Sequence, residues 1–335
     1  MKVGNQSWRF NNHVYLLETA TAVGPLESQG PLKDDFDVIY DEPYCGQKSW
    51  EQAESQLMRS AIQKVINKAK IKESDISVAF AGDLVNQIVP THYTFRETNI
   101  PFFGIYGACS TSMESLLLSS ILVDSDNADI ALAATSSHNS SAERQYRNPT
   151  EYGGPKPETA QYTVTGAGAA LVSHKKSKIC IESGTVGIIV DAAQNNPNDM
   201  GAAMAPAAAQ TIKQHFQDLG RQPSDYDLIL TGDLASCGSP ILIDILKSEG
   251  YDISQQHNDC GKLVFSDQQP VFAGGSGCGC CAVVTYGHIK RLLEEKKLRR
   301  VLVVATGALL NPLIMQQKET IPCIAHAVAL SIEDE

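Results

Sequence analysis

The 335-residue sequence predicts an α/β layered fold built twice over. Three observations carry that expectation. Short apolar runs alternate with helical repeats, a pair of motifs recurs at a fixed offset, and a cysteine-bearing turn opens a helix in each half. Taken in order, Leu57, Ala61, Val65 and Ile66 recur at helical spacing, and the apolar strand Ile76 to Ala81 follows. In the second half Ala207, Ile212 and Phe216 precede the strand Leu228 to Thr231. Ser74-Asp75 then Gly82-Asp83-Leu84 returns as Ser224-Asp225 then Gly232-Asp233-Leu234, an offset of 224 − 74 = 150. The turn Gly107-Ala108-Cys109-Ser110 opens a helix leading to the strand Ile130 to Thr135, and Gly277-Cys278-Gly279-Cys280 opens one leading to Val301 to Thr306. Aligning Cys109 with Cys280 sets an ungapped offset of 280 − 109 = 171 that pairs Ala134-Thr135 with Ala305-Thr306. Strands that read as continuous apolar runs are buried on both faces. Two halves follow, 1–190 and 191–335, better described as one duplicated fold than as independent domains.

Composition excludes several classes. The formal net charge is −11, from 27 Lys+Arg against 38 Asp+Glu, and no basic run exceeds Lys175-Lys176 or Lys296-Lys297, so a nucleic-acid binder is not expected. Nine cysteines, an odd number in a long chain, read as reduced thiols rather than a disulfide scaffold. Met1 to Phe10 is polar and carries no signal-peptide core. The apolar stretches 105–123 and 301–315 are interrupted, the first by Glu114 and six Ser/Thr, the second by Asn311-Pro312, so neither reads as a membrane span.

The segment from Gly104 to Glu114 is chemically the most pointed. Cys109 ends a strand-to-turn transition among small residues, at the entrance of an apolar helix carrying Met113, Leu116, Leu117 and Ile121. A thiol at a helix N-terminus lies near free N–H groups and the positive end of the dipole, which lowers its pKa and presents it to a ligand. Free cysteine is also among the most buried residue types, and the residues alone leave both readings open.

These segments resemble the thiolase/ketoacyl-synthase fold and, within it, the stage V sporulation protein AD family. The resemblance rests on GDLVNQ (Gly82–Gln87), FGIYGACSTSMES (Phe103–Ser115), ALAATSSHN (Ala131–Asn139), AERQYRNPTEYGGPKP (Ala142–Pro157), DYDLILTGDL (Asp225–Leu234), HNDCG (His257–Gly261) and VFAGGSGCGC (Val271–Cys280). It implies two similar halves, each with a five-stranded mixed sheet, layered with helices. It also implies a non-enzymatic binder of dipicolinic acid, taken as the calcium chelate, in the spore's uptake and release system during sporulation and germination. The implied partners are other subunits of a spore membrane channel complex, with a homodimer as the assembly. The implied location is peripheral to the inner membrane of the developing and dormant spore.

Acyl-transferring members of the fold need a general base and an oxyanion hole beside the nucleophile. They place a His or Asn on the glycine-rich turn of the second half, and a second catalytic group after a strand of that half. Here Gly275 stands at the first place, and Thr231-Gly232-Asp233 and Ala305-Thr306-Gly307 end the strands, with no His within four residues of either turn. Cys109 therefore stands without catalytic partners, and the expectation is a binding protein with no cofactor of its own. The alternative is an acyl-transferring enzyme using Cys109 with His257 or His138 as its base.

Dipicolinate is a flat dianion, and calcium, which prefers about six to eight oxygens, can bridge it to protein. The expected pocket gathers Asp83 and Asp233 at matching strand ends, the amides of Asn86 and Gln87, the N–H groups around Cys109, His138 and Asn139 past the following strand, and Ser276 of the glycine-rich turn. Each aspartate equally suits a turn or helix cap. The stretch from Ala142 to Tyr162, with Arg144, Arg147 and Lys156, reads as a long polar loop over the pocket or a dimer seam, or as a solvated insertion. Cys278-Gly279-Cys280-Cys281 lacks zinc-ligand spacing and reads as packing. Thr165-Gly166-Ala167-Gly168 lacks the third glycine of a dinucleotide fingerprint.

Overall fold

The computed structural model describes residues 1–10, 13–146 and 152–333. Ten strands form two sets of five with the same order. The first set is β1 (Tyr15–Val23), β2 (Val78–Gly82), β3 (Phe102–Gly104), β4 (Ile130–Ser137) and β5 (Gly166–Ser173). The second is β6 (Ile179–Thr185), β7 (Leu228–Thr231), β8 (His257–Asp259), β9 (Arg300–Ala308) and β10 (Cys323–Ile332). Across the first sheet the order is β1-β5-β4-β2-β3, and across the second β6-β10-β9-β7-β8. In each sheet four strands run in one direction and one, β5 or β10, runs against its two neighbours. The sheets join where Ile179 and Cys180 pair with Leu16 and Tyr15.

Helices fill three layers. Outside the first sheet lies α1 (Trp50–Ala69), followed by the short α2 (Val89–Phe95). Between the sheets lies α3 (Thr111–Asp124), and α4 (Asn139–Tyr146) follows β4. Outside the second sheet lie α5 (Met200–Leu219) and α6 (Ala235–Ser248), then a single turn, α7 (Cys260–Leu263). The second central helix is α8 (Cys278–Val283), continued through a π-helical stretch, Val284–Ile289. Met113, Leu116 and Leu117 of α3 and Cys280 to Val284 pack together with inward residues of both sheets. Two outer cores bury α1 against the first sheet, and α5 and α6 against the second.

The duplication has physical causes. Helices α1 and α5 are both 20 residues long, 150 apart, and begin on side-chain caps: Ser49 accepts from the Gln52 N–H and Asp199 from the Ala202 N–H. Each cap contributes about 1 kcal/mol. Both end on a left-handed residue, Lys70 or Gly220. Asp75 and Asp225 accept from the N–H groups of Lys72 and Gln222, each at 2.8 Å, and so close the turns that feed β2 and β7. The repeated Ser-Asp pair is thus a capping device.

The register of the other repeat differs by one from the sequence reading. Strand pairing places Ala131 on Val78 and Val301 on Leu228, an offset of 301 − 131 = 170. Side chains alternate across a strand. Ala131 and Ala133 face the central helices, as do Val301, Val303 and Ala305, whereas Ala134 faces α1. An offset of 171 would turn every side chain to the wrong face. The cysteine that opens α8 beside Cys109 is Cys278, not Cys280. A second correction concerns the long polar stretch from Ala142, which begins inside α4 with Ala142 and Glu143 buried.

Helices α5 and α6 meet glycine to glycine: a Cβ on Gly238 would lie 2.5 Å from the Gly201 carbonyl oxygen. Gly238→Val should therefore cost about 1–3 kcal/mol by forcing the helices apart. Urea denaturation checks this; an unchanged midpoint would mean that the contact does not constrain the fold.

Candidate functional site

Cys109 sits where the turn after β3 enters α3, 8% exposed, in a small cluster with Leu84, Ala108, Ala142 and Cys278. Ala108 adopts a positive φ of 52°, a strained conformation for a residue with a Cβ. The carbonyl of Gly107 approaches β9 so closely that a Cβ on Gly307 would lie 2.1 Å from it. Glycine at 307 is thus required by backbone approach.

The turn closes on itself. The Ser110 N–H donates to the Gly107 carbonyl at 3.1 Å and the Thr111 N–H to the Ala108 carbonyl at 3.2 Å. The helix entrance expected to receive an anion has spent these donors. The thiol is likewise shifted opposite to expectation. Burial, then the charge of Asp233, then the neighbouring Cys278, push Cys109 well above the ordinary thiol range. Desolvation and an adjacent carboxylate outweigh the dipole of a helix end.

Asp233, at the end of β7, is the group that meets Cys109 from the second half. It is 1% exposed, accepts from the Thr306 hydroxyl, and accepts from the Gly277 N–H at 3.3 Å. Burial pushes its carboxyl up to about 7 against these hydrogen bonds. Asp83, at the equivalent position in the first half, accepts from the N–H groups of Val85 (2.8 Å) and Thr91 (2.9 Å) and from the Thr91 hydroxyl (2.5 Å). It caps the turn into α2, and burial pushes it up to about 6. Ser276 is buried in a short strand pairing with Tyr162–Thr163, next to the Gly277 N–H that serves Asp233.

Cys109, Asp233, Ser276 and Asp83 therefore gather around one buried neighbourhood; Asn86 and Gln87 lie outside it, and His138 and Asn139 border it with their side chains engaged elsewhere. Asn86 and Gln87 are exposed, and Gln87 has a φ of 60°. His138 is buried under Trp50, with ring centroids 5.3 Å apart; its Nε2 lies 2.8 Å from the Pro43 carbonyl, and its Nδ1 accepts from the Ser140 N–H. Asn139 donates through Nδ2 to the Thr163 carbonyl at 3.3 Å. His138 and Asn139 form the junction between β4 and α4, a packing role that the short polar run does not disclose. His257 places its Nε2 3.0 Å from the Thr231 hydroxyl. Neither histidine considered as a base is directed at Cys109. Arg144 is paired with Glu51, Lys156 with Glu143 at 3.2 Å, and Arg147 lies outside the described residues.

Two carboxyls escape the sequence reading. Glu54 of α1 is fully buried and accepts from the hydroxyls of Ser141 (2.5 Å) and Ser136 (3.2 Å). Burial, then the charge of Asp83, pushes it well up. Its signal in the sequence is a carboxylate on the apolar stripe shared with Leu57 and Met58. Asp259 accepts from the Thr231 hydroxyl and from the N–H groups of Leu234, Ala235 and Gly261 at 2.6–2.9 Å, so it pins the start of α6 beneath Asp233.

Beside the turn that carries Cys109 opens a cleft of about 300 Å³ lined by Tyr106, Gly107, Ala108, Ile189, Gly307, Ala308, Leu309, Pro322, Cys323 and Ile324. Its wall is apolar side chain and bare main chain, with no cationic group among those residues. Among the described residues no cluster of three or more His, Cys, Asp or Glu is arranged to hold a metal ion, and no helix is long and apolar enough to cross a membrane.

A family model described as stage V sporulation protein AD matches residues 4–331. The chain is 56% identical over 325 residues to the stage V sporulation protein AD of Bacillus subtilis (strain 168), covering 97% of this chain and 96% of that one. Among solved structures it is similar to human mitochondrial 3-ketoacyl-CoA thiolase in complex with CoA (TM-score 0.59, 11% identity, 97% and 99% of the two chains). It is also similar to a single-residue variant of OleA from Xanthomonas campestris (TM-score 0.58, 14% identity, 98% and 100%). A third similar structure is 3-oxoacyl-[acyl-carrier-protein] synthase III of Aquifex aeolicus VF5 (TM-score 0.52, 10% identity, 95% and 99%). At these identities the solved structures establish the fold alone, a thiolase/ketoacyl-synthase-like one.

The thiol environment predicts low reactivity. Under native conditions iodoacetamide should label the half-buried Cys237 well before Cys109. Asp233→Asn should speed labelling of Cys109 by removing the adjacent charge; peptide mass mapping reads both, and unchanged labelling would detach the thiol from Asp233. A pH dependence follows as well. Asp233, Glu27 and Glu114 are each pushed up to about 7 by burial. From pH 7 upward they give up, in the folded chain, the remaining protons that the unfolded chain has already released. The buried His215, His257 and His326, pushed down to about 3, 4 and 4, act in the opposite sense, because an unfolded imidazole holds a proton that the folded one lacks. That opposing effect is the smaller one here, since an imidazole of ordinary pKa, about 6.5, has lost most of its protons above pH 7. The folded chain therefore binds more protons overall, and stability falls as pH rises from 7 to 8.5. Denaturant titrations at those two pH values should show the drop, and a rise would contradict it.

Proposed function

The chain belongs to the stage V sporulation protein AD family, and we propose that it is a non-enzymatic binding protein for dipicolinic acid, received as the calcium chelate in the cleft beside Cys109. The observation that carries this reading is the cleft itself: about 300 Å³ of apolar wall and glycine main chain, next to a thiol that is held protonated. A volume of that order suits a single ring with two carboxylates. In the 1:1 chelate the two calcium charges cancel both carboxylates, so a cleft without cations, in a protein of net charge −11, faces a neutral flat ligand. Calcium arrives here as part of the cargo. Tyr106, 44% exposed at the mouth, offers a ring face to a pyridine ring.

Catalysis is not part of this reading. A nucleophilic cysteine needs a base to take its proton, and the group that meets Cys109 is a buried carboxyl whose charge opposes thiolate formation. The protein acts, in this proposal, at the spore inner membrane as a peripheral component alongside the channel-complex subunits. It works as a homodimer: β3 is an edge strand carrying Phe103, 59% exposed, close in sequence to Tyr106, and an open edge with apolar side chains favours pairing with another strand.

Titration calorimetry with equimolar calcium and dipicolinate should give saturable heat with one site per chain. Tyr106→Ala should weaken binding about tenfold, equivalent to about 1.4 kcal/mol, and Ala308→Trp should abolish it by filling the cleft. Absence of heat with the wild-type chain would overturn the reading. Appearance of an acyl adduct on Cys109 in the intact mass after incubation with an acyl-CoA would replace it with acyl transfer.

A further inference from the structure

On the opposite side of the second sheet, where β6 leaves β1 and takes up the N-terminal strand Ser7–Arg9, the ladder is irregular. Ile181 pairs with Leu330 and Ser183 with Ala329, so Glu182 is an extra residue bulged out of the β6–β10 pairing. A bulge re-aims a side chain, and here it points a carboxylate among three guanidinium groups. Arg300 grips Glu182 through Nε and Nη2 at 3.0–3.2 Å. Arg221 reaches the same carboxylate only at 3.5 Å, and Arg9 touches the Leu219 carbonyl at the end of α5 at 3.4 Å. Arg9 and Arg221 line a cleft of about 220 Å³ with Phe10, Cys180, Ser183, Leu219 and Glu182, whose carboxylate is the one Arg300 holds.

Three guanidinium groups meet here against the carboxylates of Glu182 and Asp218 and, near Arg300, that of Asp225, in a chain whose total is −11. The neighbouring carboxylate of Asp218 is satisfied by other donors and leaves the guanidinium groups unpaired with it. That group accepts from the N–H groups of Asn5 and Gln6, the Ser7 hydroxyl and the Gln214 amide, all within 3.0 Å. Glu182 is itself taken up bidentately by Arg300, and Arg9 and Arg221, each with one long contact, keep further guanidinium donors on one small space. Two guanidinium groups converging from different elements suit a tetrahedral oxyanion, whose oxygens point in several directions, better than a planar carboxylate, which satisfies one fork.

We propose that the cleft between Arg9 and Arg221 is a binding site for a phosphate-class dianion, either inorganic phosphate or the phosphate of a small monoester. The site is separate from the cleft at Cys109 and does not depend on what that cleft binds. Its test uses the full chain and ³¹P line broadening, with inorganic phosphate in one arm and glycerol phosphate in the other. Saturable broadening is expected in at least one arm, and the arm with the lower dissociation constant identifies the source. Arg9→Ala and Arg221→Ala should each raise that constant about tenfold or more, whereas Arg96→Ala, an exposed arginine on a different face, should leave it unchanged. Arg9 is exposed, so its replacement leaves the fold intact and keeps the test open if Arg221→Ala unfolds the chain. No saturable broadening in either arm overturns the site. So does an unchanged constant in Arg9→Ala.

Discussion

Helices α3 and α8 each have a sheet on both sides, so no residue of either is exposed and even the serines of α3 are buried, packed closely between the sheets. This double burial governs the chemistry of everything at their N-termini. Cys109, Cys278 and the turn carbonyls around them lie inside the joined core. A charge placed there is separated from water, and its hydrogen-bond partners must come from the neighbouring strand ends. The carboxyls of Asp83, Asp233 and Asp259 meet that requirement with two to four donors each. They hold the ends of β2 and β7 and the start of α6 in register.

The same burial separates two outcomes available to a thiol at a helix entrance. In an electropositive, wet surrounding the helix end lowers its pKa, but here Glu54, Asp83 and Asp233 all surround Cys278, and Asp233 faces Cys109. The cluster is poor in positive charge and rich in protonatable oxygen. Burial beside these carboxyls keeps protons on the thiols.

The duplicated architecture is legible in the sequence because repeats that cap turns must recur wherever the turn recurs. Ser74-Asp75 and Ser224-Asp225 sit 150 residues apart for that reason, and the helices ahead of them have equal length. The register of β4 against β9 slips by one residue in the sequence comparison, because small residues such as Ala134 and Ala305 carry no facing information. At the site, Cys109, Asp83, Asp233 and Ser276 are legible as residues at strand and helix ends. Asn86, Gln87, His138 and Asn139 sit at strand ends too, but an end of a strand has an inside and an outside, and only packing decides between them. Trp50 and Pro43, remote from His138 along the chain, are what turn it aside. Glu54 is hidden for the opposite reason, as an acid among the apolar residues of a long helix.

The cleft beside Cys109 is floored by main chain, since Gly107 and Gly307 touch without side chains between them. A floor of peptide groups has a shape fixed by the fold and not by residue identity at the contact. Substitutions elsewhere can therefore reshape the rim, through positions such as Tyr106, Ile189 and Leu309, without disturbing the floor of the cleft. An architecture of that kind lets the shape of the opening change over evolutionary time: the floor is inherited with the backbone, and only the walls vary.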